Sequence, residues 1–197
     1  MDEFVNKIIE NCRNILNRFN VESKNTIIVI AKEISSTFLR GGKVFVMGNG
    51  GSAADAQHIA AEFINRVKIE RPPLPAIAIT TDSSVITSIS NDFSFEDVFL
   101  KQVMAYANTN DIVWAISTSG ETPNILKALQ YCSKNNIKTI GFTGGAGGKM
   151  NGMCDILLNA PAKETPRIQE VHLLAAHLIC ELVDEILFGR FSPQTDE

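Results

Sequence analysis

Val113-Trp114-Ala115-Ile116 is an unbroken apolar run in the middle of the chain, and it constrains the fold more than any other feature. A strand with one wet face alternates apolar and polar residues. A strand apolar on both sides must be covered on both faces, as in a parallel sheet between two layers of helices. Similar short apolar runs fall at Lys43–Met47, Pro75–Thr80, Asp111–Ser117, Lys138–Phe142 and Asp155–Asn159, separated by stretches of helical composition. Five such strands alternating with helices predict an α/β doubly wound fold around a five-stranded parallel sheet, with ligands beyond the carboxyl ends of the strands. Eleven of the 13 glycines lie in two windows, Gly41–Gly51 and Gly141–Gly152, next to predicted strand ends. The 197 residues suit one domain: N-terminal helices over 1–41, an α/β core over 42–160, and a C-terminal helix over 166–188.

Residues 1–40 contain neither proline nor glycine. Val5, Ile8, Ile9, Cys12, Ile15, Leu16 and Phe19 recur at helical spacing with charges on the other faces, which predicts an amphipathic helix. A second helix is expected from about Glu22 to Leu39, stopped by Gly41-Gly42. The β-branched stretch Thr26–Ile30 reads as helix, because the turn signal before it is weak and apolar residues continue to Ile34 and Phe38. At the other end, 13 of the 20 residues from Ile168 to Leu187 are apolar and cover almost the whole circumference of a helix. Such a helix must be buried, and an interface between protomers is a natural place for it.

The balance of 18 basic against 22 acidic residues gives a net charge of −4, which disfavours a nucleic-acid-binding surface. The acidic start Met1-Asp2-Glu3 is unlike a signal peptide, and Val171–Cys180 is too short an uncharged stretch to span a bilayer. Cys12, Cys132, Cys154 and Cys180 are widely spaced and read as free thiols in a reducing compartment. A cytoplasmic protein with no membrane or nucleic-acid partner is expected.

Two loops carry ligand-binding chemistry. Gly48-Asn49-Gly50-Gly51-Ser52-Ala53 follows a predicted strand and opens a helix, so glycine flexibility meets the free N–H groups of a helix start. It also fits the dinucleotide pattern G-x-G-x-x-A, but Asp82 lies 34 residues after Gly48, beyond the usual offset of about 20. A tight turn with no ligand is the plain alternative. Ser117-Thr118-Ser119-Gly120-Glu121-Thr122-Pro123 offers four hydroxyls ahead of a proline suited to the first helical position. One hydroxyl suffices to cap a helix, so four favour a neutral phosphate cradle. The three histidines add a third feature. His58 and Glu62 stand four residues apart on one helical face. Gln169 and His177 are about 80° apart around the last helix, and His172 and His177 about 140°, so the latter two cannot both face one small site. Metal or acid–base chemistry competes on level terms with simple packing. Arg66, one turn beyond Glu62, is placed either to neutralise a phosphate or to pair with Glu70.

Together, Gly48-Asn49-Gly50-Gly51-Ser52-Ala53-Ala54-Asp55-Ala56-Gln57-His58, Asn91-Asp92-Phe93, Ser117-Thr118-Ser119-Gly120 and Arg167-Ile168-Gln169-Glu170 resemble the phosphoheptose isomerases, enzymes of the sugar-isomerase (SIS) domain family. The resemblance runs from about residue 5 to about residue 188. It implies a flavodoxin-like SIS fold whose N- and C-terminal helices build the bundle of a homotetramer. It implies interconversion of sedoheptulose 7-phosphate and D-glycero-D-manno-heptose 7-phosphate through an enediol, the first step toward ADP-heptose and GDP-heptose precursors. It also implies one zinc ion per subunit at His58, Glu62, Gln169 and His177, with Glu62 and His177 as the catalytic pair. The implied sugar-phosphate contacts are Asn49, Gly50, Gly51, Ser52, Glu62, Asn91, Asp92, Ser117, Thr118, Ser119, Thr122 and Gln169. Thr122 stands where the family often has serine, and Pro166 where some members carry an acidic residue. Ile64-Asn65-Arg66 and Glu70-Arg71-Pro72 also resemble a non-enzymatic relative, the replication-initiator-associating protein. That relative typically lacks the acid–histidine pair, which a phosphosugar-binding regulator has no chemical need for, so Glu62 with His177 favours an enzyme.

Overall fold

The computed structural model describes residues 1–192. Its elements, in chain order, are α1 (Asp2–Leu39), β1 (Val44–Gly48), α2 (Gly51–Ile64), β2 (Ala76–Ala78), α3 (Ser83–Asp92), α4 (Val98–Tyr106), β3 (Ile112–Ile116), α5 (Pro123–Lys134), β4 (Lys138–Gly144), β5 (Ile156–Ala160) and α6 (Thr165–Leu187). The five strands form one parallel sheet in the order β2-β1-β3-β4-β5. Chain order reverses between β1 and β3, so their carboxyl ends open the crevice where such sheets place ligands.

Alternate residues of the central strands feed two separate cores. Val44, Val46, Ile112, Trp114, Ile140 and Phe142 pack under α1, α2 and α6, with Trp114 and Phe142 meeting edge to face at 4.8 Å. Phe45, Met47, Val113 and Ala115 point the other way, toward α4 and α5. Every residue of β1 and β3 is buried, which is why their sequences show no polar alternation. β2, at the sheet edge, is shorter than the Pro75–Thr80 run suggested.

The N-terminal segment departs from expectation. In place of two helices there is one 38-residue helix, unbroken through residues 20–22. Its buried stripe of Ile15, Phe19, Ser23, Ile27, Ile30, Ala31 and Ile34 keeps helical spacing throughout, and no glycine or proline interrupts it. The stop is where the sequence placed it. Gly41, at φ +79°, and Gly42 donate to the carbonyls of Phe38 and Thr37, the paired hydrogen bonds of a Schellman termination. α6 packs along α1, yet Leu174 and Leu178 remain exposed on it, as do Phe4, Val5, Ile8 and Ile9 on α1. No helix is long and apolar enough to cross a membrane among the described residues. The four cysteines are free.

Candidate active site

The glycine loop leaves the carboxyl end of β1 and enters α2. Gly50 caps the helix at φ +55°, a conformation that side chains disfavour, and no side chain caps the helix start. Ser52 is buried under Gly48. A Cβ on Gly51 would lie 2.5 Å from Gln169 Nε2, so the bare glycine makes room for a side chain reaching across from α6. That amide donates to Asp55 at 3.2 and 3.3 Å. Asp55 is mostly buried. Burial pushes its carboxyl above the usual range, opposed by the Gln169 hydrogen bond and by the charge of His58.

The hydroxyl loop leaves the neighbouring strand, β3, and enters α5 with Pro123 in its first turn. Thr122 occupies the cap position, but its hydroxyl turns away from the helix and meets Ser117 Oγ at 2.7 Å. Ser117 Oγ also accepts the Gly120 N–H at 3.2 Å, and Ser119 Oγ accepts the Glu121 N–H at 3.2 Å. The hydroxyls therefore face one another inside a small loop, which a capping role does not require. Gly120, at φ +66°, makes the turn possible. The two loops are tied by a reciprocal amide pair: Asn49 Nδ2 donates to Asn124 Oδ1 at 2.9 Å and Asn124 Nδ2 returns a bond to Asn49 Oδ1 at 3.1 Å.

Farther along α2, His58 and Glu62 share one face, and His177 of α6 comes to meet them. His58 Nε2 lies 2.7 Å from His177 Nε2 and 3.5 Å from Glu62 Oε1. One ligand atom from each of the three residues falls within 4.8 Å of the others. His58 is 42% exposed and Glu62 20%, so the group is open to a small molecule without being fully wet. This donor set fits a zinc ion. Two imidazoles and a carboxylate are ordinary zinc ligands, and tetrahedral ligand atoms at ~2.0–2.1 Å from the metal stand about 3.3 Å apart, between the two shorter separations here.

The chain thus gathers His58, Glu62 and His177, gathers Ser117, Ser119 and Thr122, and joins Asn49 to the latter through Asn124. Gln169 meets α2 at Gly51, its amide nitrogen held by Asp55. Thr118 is half-buried in its loop. Asn91 and Asp92 stand apart, bonded to each other at 2.8 Å at the exposed end of α3, and no hydrogen bond joins them to either loop among the described residues. His172 points into the core, as the 140° offset required: its Nε2 meets the Thr143 carbonyl at 2.9 Å. Arg66 pairs with Glu70 at 3.5 Å on the surface. Asp55, Asn124 and Arg71 were not singled out as site residues from the sequence. Asp55 does lie one turn before His58 on the same helix, a spacing that signals a shared face.

A family model described as the SIS domain matches residues 7–144. Curated relatives include phosphoheptose isomerases from Nitratidesulfovibrio vulgaris strain Miyazaki F, 47% identical over 171 residues (87% of this chain, 82% of the relative), and from Trichlorobacter lovleyi, 44% identical over 192 residues (98% of each). The chain belongs to the phosphoheptose isomerases of the SIS domain family. Among solved structures, the phosphoheptose isomerase from Francisella tularensis superposes with a TM-score of 0.90 at 38% identity, covering 93% of this chain and 97% of that one. GmhA from Neisseria gonorrhoeae, another phosphoheptose isomerase, gives 0.88 at 36% identity, covering 93% and 98%.

Proposed function

We propose that the protein isomerises sedoheptulose 7-phosphate to D-glycero-D-manno-heptose 7-phosphate. The observation that carries this reading is the meeting of Glu62, on the helix that the glycine loop opens, with His177, in a chain 44–51% identical to phosphoheptose isomerases. Aldose–ketose isomerisation moves a proton between C1 and C2 through an enediol and shifts a second proton between the two oxygens. It needs a base over the carbons and an acid at the oxygens. Glu62 is the base that relays the carbon-bound proton, and His177 the acid that serves oxygen, each contributing on the order of 10²–10⁴-fold. The hydroxyls of Ser117, Thr118, Ser119 and Thr122 hold the phosphate, with Asn49, Gly50, Gly51 and Ser52 lining the adjoining turn. His58 lies seven residues beyond Gly51, about 10 Å along α2, which suits a long phosphosugar anchored at one end and reacting at the other. Asn91 and Asp92 are further sugar contacts in this reading, reached from the exposed end of α3.

His58, Glu62 and His177, with Gln169 as a fourth ligand, would hold one zinc ion per subunit. When bound, the metal supplies Lewis-acid polarisation of the sugar carbonyl. The carboxylate of Glu62 then serves two purposes, and the Asp55 hydrogen bond fixes which end of the Gln169 amide is free. The exposed apolar residues of α1 and α6 support a homotetramer whose central bundle covers them. Light scattering giving the mass of a single 21.6 kDa chain would refute that assembly. The protein is expected to act in the cytoplasm on a small phosphosugar, without nucleic-acid or membrane partners.

The test is incubation with sedoheptulose 7-phosphate while the aldose product is followed by NMR. Turnover is the expected result. Binding of the phosphosugar without turnover, with and without zinc, would refute the enzyme and leave a phosphosugar-binding regulator.

A further inference from the structure

Outside the site, one ionic cluster is fully buried among the described residues. Arg71, in the segment between α2 and β2, and Asp184 of α6 have side chains only 1% and 2% exposed, with Arg71 Nε donating to Asp184 Oδ1 at 2.9 Å. The rest of the guanidinium is spread over the end of α2. Nη2 donates to the Glu62 carbonyl at 3.0 Å, and Nη1 donates to the carbonyls of Phe63 at 2.6 Å, Asn65 at 3.1 Å and Pro72 at 3.2 Å. Glu62 and Phe63 lie in the last turn of α2, where carbonyls have no helical partner and the helix dipole favours a cation. Asp184 follows His177 by seven residues, two turns along α6 and within about 20° of the same face.

We infer that Arg71 is a positioning residue. It locks the backbone of Glu62 to the helix that carries His177, and so sets the separation of the catalytic carboxylate and imidazole. The inference rests on the assignment of Glu62 and His177 as the reacting pair. An apolar pair of similar volume would hold α2 against α6 at least as firmly as a buried ion pair. What it would not do is grip three carbonyls at the helix end while anchoring to a carboxylate across the seam. The planar fork of arginine suits that task, and a lysine point charge does not.

Three variants separate positioning from packing. Arg71→Lys keeps the charge and loses the fork; Arg71→Met with Asp184→Leu removes both charges together, so no buried ion is orphaned and the chain can still fold; Glu62→Gln reports on the base itself. For the first two, kcat is expected to fall at least 10-fold, with KM within twofold because the phosphate loops are untouched. In the metal-free protein, the ¹⁵N signals of the His58 and His177 rings are expected to shift as their 2.7 Å approach is lost. Thermal unfolding and assembly mass confirm that the double variant is folded. A folded double variant with kcat and ring signals unchanged would overturn the inference. If Glu62→Gln keeps full turnover, the base assignment fails instead, and the ring signals still decide whether Arg71 sets the α2–α6 spacing.

Discussion

His172 makes folding stability depend on pH, and the size of the effect follows from its surroundings. The ring is 1% exposed and packs 5.4 Å from Phe142. Its Nε2 must carry the proton, because the atom opposite is the Thr143 carbonyl oxygen. Nδ1 is therefore the bare nitrogen, buried with no hydrogen-bond partner. Protonating it would place a charged, unpartnered N–H in an apolar core, and burial accordingly lowers the pKa from 6.5 to about 4, against the pull of the Thr143 carbonyl. The folded state binds this proton less readily than the unfolded chain. Stability from His172 is thus complete above pH 6.5 and is lost as pH falls from 6.5 toward about 4. Linkage gives a loss of roughly 2.5 kcal/mol between pH 7.5 and pH 4.5 from this group. Urea unfolding at both pH values, at one fixed protein concentration so that self-association would contribute equally, measures it against His172→Gln, which can still donate to Thr143. The wild-type difference between the two pH values should exceed that of the variant by about 2.5 kcal/mol. Equal differences, or an NMR titration of His172 near 6.5, would refute the burial argument.

Glu62→Gln, nearly isosteric, should preserve fold and phosphosugar binding while turnover falls 10²–10⁴-fold and solvent deuterium exchange at C1 and C2 disappears, measured at saturating zinc. Activity within a few-fold of wild type would leave His177 as the next candidate base. Ser119→Ala removes one hydroxyl from the proposed phosphate cradle and should raise KM by the equivalent of about 1.5–3 kcal/mol; an unchanged KM, with unchanged inhibition by inorganic phosphate, would put the phosphate elsewhere. Metal analysis should find about one zinc per chain in the wild type, and His177→Ala should abolish it while His172→Gln should not. The reverse pattern would exchange the two histidines in this account.

The sheet was legible in the sequence because burial on both faces leaves a direct trace. β1 and β3 carry no polar alternation, and each of their faces meets a different helix layer. The two loops were legible for a related reason: Gly50 and Gly120 adopt positive φ, and that need is written as glycine next to a strand end. Helical geometry alone separated His172 from His177, since 140° around one axis holds whatever the helix packs against. Periodicity marked both halves of α1 as helical, and their continuity was legible too: the stripe from Ile15 to Ile34 keeps helical spacing and neither glycine nor proline falls within residues 1–40, so the division into two helices had no breaker behind it. Tertiary structure decided everything that depends on the crossing of α2 and α6. His58 and His177 are 119 residues apart in the chain, yet their Nε2 atoms lie 2.7 Å from each other; Asp55 takes the Gln169 amide across 114 residues; Arg71 reaches Asp184 across 113. No local pattern encodes such a meeting. It arises when two helices with separate apolar faces are pressed onto the same side of one sheet, and the polar groups left along their seam must find each other or remain unpaired.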